Sequence, residues 1–159
     1  MQMNPNLSRR HHAILALTFA YLIVSSAGAG VAIGRGLPAE AMGLLQSDNE
    51  IWIEFMVGGG TALSPTVWLL ALMAVAATAS FRTDRAGRVA TLLLSGLGAV
   101  TVIGALAEPI TWRSITPETF DPLYLSLSVL LVAVPAALAL VAFSEFRARR
   151  AHGARAKAL

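Results

Sequence analysis

Four stretches of this 159-residue chain contain no charged residue: 13–34, 55–81, 89–107 and 122–144. At about 1.5 Å per helical residue, each approaches or exceeds the roughly 20 residues needed to cross a hydrocarbon core about 30 Å thick. A soluble domain of this size has too little interior to hide so much uninterrupted apolar chain. The composition agrees, with 56% hydrophobic and only 13% charged residues. The expected fold is all-α, a four-span transmembrane helical bundle making a single membrane domain over 1–159, with spans near 12–34, 61–81, 88–108 and 122–144.

Charge then orients the bundle. Of the 12 Lys and Arg residues, only Arg35 and Arg113 fall on one side of this layout; the others, from Arg9 and Arg10 through Arg82, Arg85 and Arg88 to the 145–159 tail, fall opposite. Seven of the nine acids sit with Arg35 and Arg113. The positive-inside rule therefore predicts a multi-pass cell-membrane protein with both termini cytoplasmic and with connections 35–60 and 109–121 facing outward. The tail reads as a solvated basic anchor beside anionic headgroups. A net charge of +3 and a pI near 10.2 would also suit nucleic acid. The cations sit at the ends of the apolar blocks, however, so membrane lipids and not nucleic acid are the expected partners. An Arg-rich, Ala-rich chain points to a bacterial source.

The N-terminus has a second reading. Arg9, Arg10, an apolar run and then Ser25-Ser26-Ala27-Gly28-Ala29 have the form of a secretory signal, but the uncharged run of 22 residues exceeds the usual h-region of about 7–15. A retained span is the expectation.

Small residues mark helix-packing surfaces. Ser26, Gly30 and Gly34 stand four apart on one face, and Gly98 thins the third span. Such faces serve either close packing within the chain or a seam with a second copy or another membrane subunit. In the first connection, Ser47 and Glu50 have capping-box spacing, which predicts a short interfacial helix through about Val57, ended by Gly58–Gly60. Glu50 and Glu54 would form its acidic edge. The second span should begin near Thr61 or, if Ser64 caps and Pro65 is the first helical residue, slightly later and so be short. Pro109 should stop the third span at Glu108, Asp121 and Pro122 should start the fourth, and Pro135 should kink it, its missing N–H freeing the Leu131 carbonyl.

Candidate chemistry is sparse. There is no cysteine, and the three histidines all lie at the basic ends of spans, away from most carboxylates. No metal site, cofactor or catalytic constellation is expected. No ionisable residue stands mid-span, which disfavours ion-coupled transport. What remains is the outer rim: Glu108 at the edge of the hydrocarbon, with Arg113, Trp112, Trp52, Glu54 and Asp121. One account makes Glu108 and Arg113 a structural ion pair and the tryptophans an aromatic belt. The other makes the rim the mouth of an outward-opening pocket. The expected function is accordingly non-catalytic: binding a lipid-like or small apolar ligand at this rim, or packing as an accessory subunit. A membrane-embedded enzyme using a rim carboxylate as general acid or base, and an uncoupled channel or transport component, are the alternatives.

Overall fold

The computed structural model describes residues 5–40 and 50–156, with side chains described over 9–40 and 50–151. Its elements are all helical: α1 (Pro5–Arg35), α2 (Ile51–Val57), α3 (Val67–Ala79), α4 (Arg85–Ala107), α5 (Pro109–Arg113) and α6 (Pro122–Ala156). The long α6 packs along both α4 and α1, and α3 lies against α4 and α1. Three segments, Arg9–Arg35, Arg85–Ala107 and Pro122–Ala151, are long and apolar enough to cross a membrane.

The bundle is apolar on the outside as well as within. Phe19, Ile23, Val75, Ile103 and Leu140 point outward, while the hydroxyls of Thr18, Thr91 and Thr101 are buried among Tyr21, Met73, Leu94 and Leu138. Thr18 and Thr101 donate back to the carbonyls of Ile14 (2.8 Å) and Gly98 (2.9 Å), so these hydroxyls are satisfied within their own helices. An apolar belt of this extent is unsuited to water but matches a hydrocarbon solvent, in which helices associate through close packing and small polar residues. Gly98 shows the packing directly. A methyl group there would stand 2.8 Å from the Pro135 carbonyl oxygen and 3.1 Å from Ala139, so α4 and α6 meet at backbone distance. Nearby, Ser95 donates across the interface to the Ala139 carbonyl (3.0 Å).

The second expected span differs from the sequence reading. Helix covers only the 13 residues of α3, about 20 Å, rather than 61–81. Its cap is Thr66, whose hydroxyl accepts from the Leu69 N–H (3.4 Å). Residues 61–66 before it are irregular: Thr61 bridges to Pro38 and Ser64, and the Ala62 N–H donates to the Leu37 carbonyl (3.4 Å). Gly60, at φ +100°, supplies the left-handed residue that turns the chain into this segment. Gly28 then lets it run against α1, because any β-carbon there would overlap the Leu63 carbonyl. Gly28 lies seven residues below Arg35, so the irregular chain descends about 10 Å beside α1 before α3 begins. Thr61, Leu63, Ser64 and Thr66 are all buried within the protein.

Other expectations shift too. Helix α6 continues through 145–156, so most of the basic tail extends the last helix. Ser26, Gly30 and Gly34 face away from the chain's own helices; nothing stands within 4 Å of a β-carbon built at either glycine. Helix α2 begins after Glu50 without a side-chain cap, and Ser47 lies outside the described residues. Pro109 does end α4, but it also opens the one-turn α5.

Candidate functional site

The two ends of the bundle are chemically distinct. At the end bearing Arg35 and Asp121, a cavity of about 560 Å³ opens beside the irregular segment. It is lined by Leu63 and Ser64 of that segment, Tyr21 of α1, Thr101 of α4, and Ser128 and Leu131 of α6. Glu54 and Glu108 both line it.

Each carboxylate is placed by local backbone. Glu54 is turned inward from α2, and its Oε2 accepts the Gly59 N–H (2.9 Å). The Glu54 carbonyl accepts from Gly58 and Gly60 (3.0 Å each), so the three glycines wrap around this one residue. A side chain at Gly58 would overlap the carboxylate, which explains why the turn is built of glycine. Glu108 sits between α4 and α5, where Pro109 forces it out of helical geometry (ψ 126°). Its Oε2 accepts the Glu40 N–H (3.1 Å). Glu108 also lines a smaller neighbouring cavity of about 220 Å³, together with Glu40, Arg113 and Tyr124.

The remaining rim residues are used elsewhere. Arg113 lies 3.7 Å from Glu40, a partner the sequence did not suggest. Asp121 accepts from Arg35 (3.1 Å) and from the Leu123 and Tyr124 N–H groups (2.9 and 3.3 Å), capping α6 as expected. Desolvation pushes the Asp121 carboxyl upward. The Tyr124 amide, Arg35 and the Leu123 amide outweigh it and hold the group below the usual carboxylate range. The Arg35 guanidinium also lies over the Tyr124 ring, 4.8 Å from its centroid. Trp52 bonds its indole N–H to the Glu50 carboxylate, and Trp112 donates to the Leu106 carbonyl (2.8 Å). Both tryptophans point outward, and neither lines the large cavity. Of the six rim residues, then, Glu54 and Glu108 share one cavity, Arg113 borders the next, and Asp121, Trp52 and Trp112 stand apart.

Sequence reading missed the cavity's inner surface. The Tyr21 hydroxyl lies beside the side chains of Thr101 and Ser25. The Ser128 hydroxyl, in a residue only 4% exposed, has no hydrogen-bond partner among the described residues. Pro135, expected from the sequence to free the Leu131 carbonyl, stands inside α6.

It also missed the opposite end. Glu145 is fully buried and accepts from Arg149 Nε (2.7 Å), one turn along α6. Arg149 donates further to the carbonyls of Arg82 (2.8 Å) and Ser80 (2.7 Å) and contacts the His11 ring. Arg10 and His11 of α1 approach the same carboxylate at 3.7 and 3.8 Å, and His11 stacks on Phe81. One buried charge pair thus ties α1, α6 and the turn after α3 together. Among the described residues, no group of three or more His, Asp and Glu side chains is arranged to hold a metal.

No protein-family model, curated protein or solved structure matches this chain.

Proposed function

We propose that this chain is a small, non-catalytic membrane protein that crosses the bilayer four times and holds a lipid-like or small apolar ligand with a polar head in the cavity at its acidic end. The fourth crossing is the irregular descent of about 10 Å followed by the roughly 20 Å of α3, which together match the hydrocarbon thickness. The division of cations supports a cytoplasmic basic end at a cell membrane. Retention of α1 is supported by its contribution of Ile14, Tyr21 and Ala32 to the common core.

The observation that carries the binding reading is the cavity itself. Its volume falls in the ordinary range for small-molecule sites, its walls are mostly apolar, and a few polar groups converge from different elements. The test is binding of the neutral fluorophore N-phenyl-1-naphthylamine to the detergent-purified protein, with native mass spectrometry for co-purified lipid. Gly104 lines the cavity and has open space around it, so Gly104→Leu should fill the volume without disturbing the fold, and should lower probe affinity at least tenfold. Trp112→Ala, outside the cavity, should leave binding unchanged. Equal binding by wild type and Gly104→Leu would remove the reading.

A second reading, packing as an accessory subunit or homo-oligomer, is supported by the outward, uncovered position of Ser26, Gly30 and Gly34. Gly30→Leu should then dissociate the assembly seen by native mass spectrometry. A wild-type protein that is monomeric in mild detergent and in lipid nanodiscs would exclude the self-assembled form.

A further inference from the structure

We infer that the outward seam between α3 and α4 is a binding site for an anionic phospholipid, with an acyl chain in the groove and the phosphate at Arg85. This rests on the reading that the basic end of the chain meets a membrane surface, and not on the cavity at the acidic end.

The seam is a groove because its facing residues are small. Between 72–79 of α3 and 85–93 of α4 the two helices leave a volume of about 460 Å³. Leu72, Val75 and Ala79 recur at spacings of three and four, as do Ala86, Val89 and Leu93 opposite, so each helix lends one continuous face. At helical rise the groove is about 12 Å long. Ala79 and Ala86 are too short to close the space between the backbones, and Val75, Val89 and Leu93 stand exposed at its edges. In a hydrocarbon solvent these surfaces gain dispersion contacts from a flexible apolar chain laid along them.

Charge then selects the headgroup. Arg85 is the one charged residue in the described lining, and it stands at the basic end of the groove, where α4 begins. The chain's own acids do not neutralise it. Of the two acids at this end, Asp84 is held by Arg82 (2.8 Å) and Glu145 by Arg149 (2.7 Å). Among the described residues, the exposed Arg85 guanidinium forms no hydrogen bond or ion pair, and the exposed Arg88 adds a second positive charge three residues on. A planar guanidinium matches phosphate oxygens two at a time. Basic pockets between membrane helices take anionic headgroups for this reason. A zwitterionic lipid brings the same chain and phosphate, but its own cation would face Arg85 and Arg88.

The experiment places the full-length protein in nanodiscs containing equal amounts of phosphatidylglycerol and phosphatidylcholine with identical acyl chains, and weighs the retained lipid by native mass spectrometry. Wild type should retain phosphatidylglycerol about fivefold over phosphatidylcholine. Arg85→Gln should bring the ratio toward equality. Arg88→Gln, the same charge change outside the lining, should keep most of the preference, and Ala86→Leu, which fills the groove from an exposed position, should lower retention of both lipids. A phosphatidylglycerol with a photoactivatable diazirine on its acyl chain should label 72–79 and 85–93 in wild type, and label them less in Ala86→Leu. The wild-type ratio and labelling need no variant, so a misfolded mutant does not block the test. Equal retention of the two lipids, labelling elsewhere, or equal losses in Arg85→Gln and Arg88→Gln would overturn the site, the last by making the preference a property of the whole basic surface. A dimer that Ala86→Leu dissociates would place a second copy in the groove and overturn it too. Carbonate extraction from vesicles keeps the two readings apart: a released protein loses the membrane reading and the lipid site with it, whereas a retained protein without the preference loses the site alone.

Discussion

At the basic end of the bundle, a fully buried carboxylate is enclosed by Arg149, Arg10 and His11, and the guanidinium that holds it also binds two backbone carbonyls. At the acidic end, Glu54 and Glu108 border a cavity of about 560 Å³ whose lining, among the described residues, includes no Lys, Arg or His. Both arrangements place ionisable groups near a hydrocarbon solvent, where an isolated charge is expensive. The first neutralises its charge with the chain's own residues and so becomes a structural lock. At the second, each carboxylate accepts a backbone N–H at the border of a cavity. The difference separates a charge pair that ties three elements together from carboxylates that border open volume.

Removing the lock is the strongest way to break this comparison. Arg149→Met strands Glu145 in the interior, and loss of one partner of a buried pair typically costs about 3–5 kcal/mol. Chemical denaturation in detergent should show a loss of that order, and a change under about 1 kcal/mol would make the basic end no more structural than the acidic one. At the acidic end, backbone contact takes the place of charge, so steric change should matter most. Gly28→Ala forces the Leu63 carbonyl away from α1 and should cost about 1–3 kcal/mol. Gly30→Ala, with open space around it, should stay within about 0.5 kcal/mol. Equal effects would mean that the irregular segment is not seated against α1.

Thr66→Ala removes the hydroxyl that caps α3 and should cost about 1 kcal/mol in the same assay. If it also weakens fluorophore binding, the start of α3 and the shape of the cavity are coupled. The smallest effect concerns Asp121. Its folded pKa is depressed, so its contribution to stability is present above the unfolded carboxylate value of about 3.9 and is lost as pH falls through the lower folded value. Asp84 at the basic end is depressed as well, chiefly by Arg82, and titrates in the same direction. Comparing wild type with Asp121→Asn between pH 6 and pH 3 isolates the acidic end, and the variant should show the shallower acid-induced loss.

Much of the bundle was legible because membrane helices are announced by what they lack. Absence of charge marked the three long helices, and Pro109 and Asp121-Pro122 marked their limits, since these signals act through local backbone geometry. The start of α3 was legible only as an alternative, Ser64 and Pro65 lying two residues before the observed Thr66 cap and Val67 start. An apolar run gives the same pattern whether it is helical or irregular, and only the partners at Leu37 and Gly28 decide. The role of α1's glycines followed the same logic: Gly30 and Gly34 have the better motif, yet Gly28 makes the contact, because the neighbour is an irregular segment and not another helix.

The site was half legible. Glu54 and Glu108 stood out as acids at the edge of apolar blocks, but nothing local shows that Trp112 turns outward or that Ser128 finds no partner among the described residues. Glu145 and Arg149 carried a readable cue, opposite charges four residues apart on a helix. It was masked by the surrounding run of arginines, which reads as a solvated tail. Burial there depends on α1 returning to the same level.

The short α3 and its irregular approach have a consequence for how the protein is made. Residues 61–66 find backbone partners in Leu37 and in their own turn, and a surface in Gly28, only once α1 is in place beside them. Released alone into lipid, such a segment would expose polar backbone that no water can reach. In the four-crossing arrangement, α3 must therefore enter together with α4, as a hairpin closed by the Arg82–Asp84 turn (2.8 Å), after α1 has inserted. A nascent chain ending at residue 84 should leave 61–79 outside the bilayer in glycosylation mapping, and one reaching residue 107 should bring it in. The order of synthesis, α1 before the hairpin, is thus also the order in which each crossing finds the neighbour it needs.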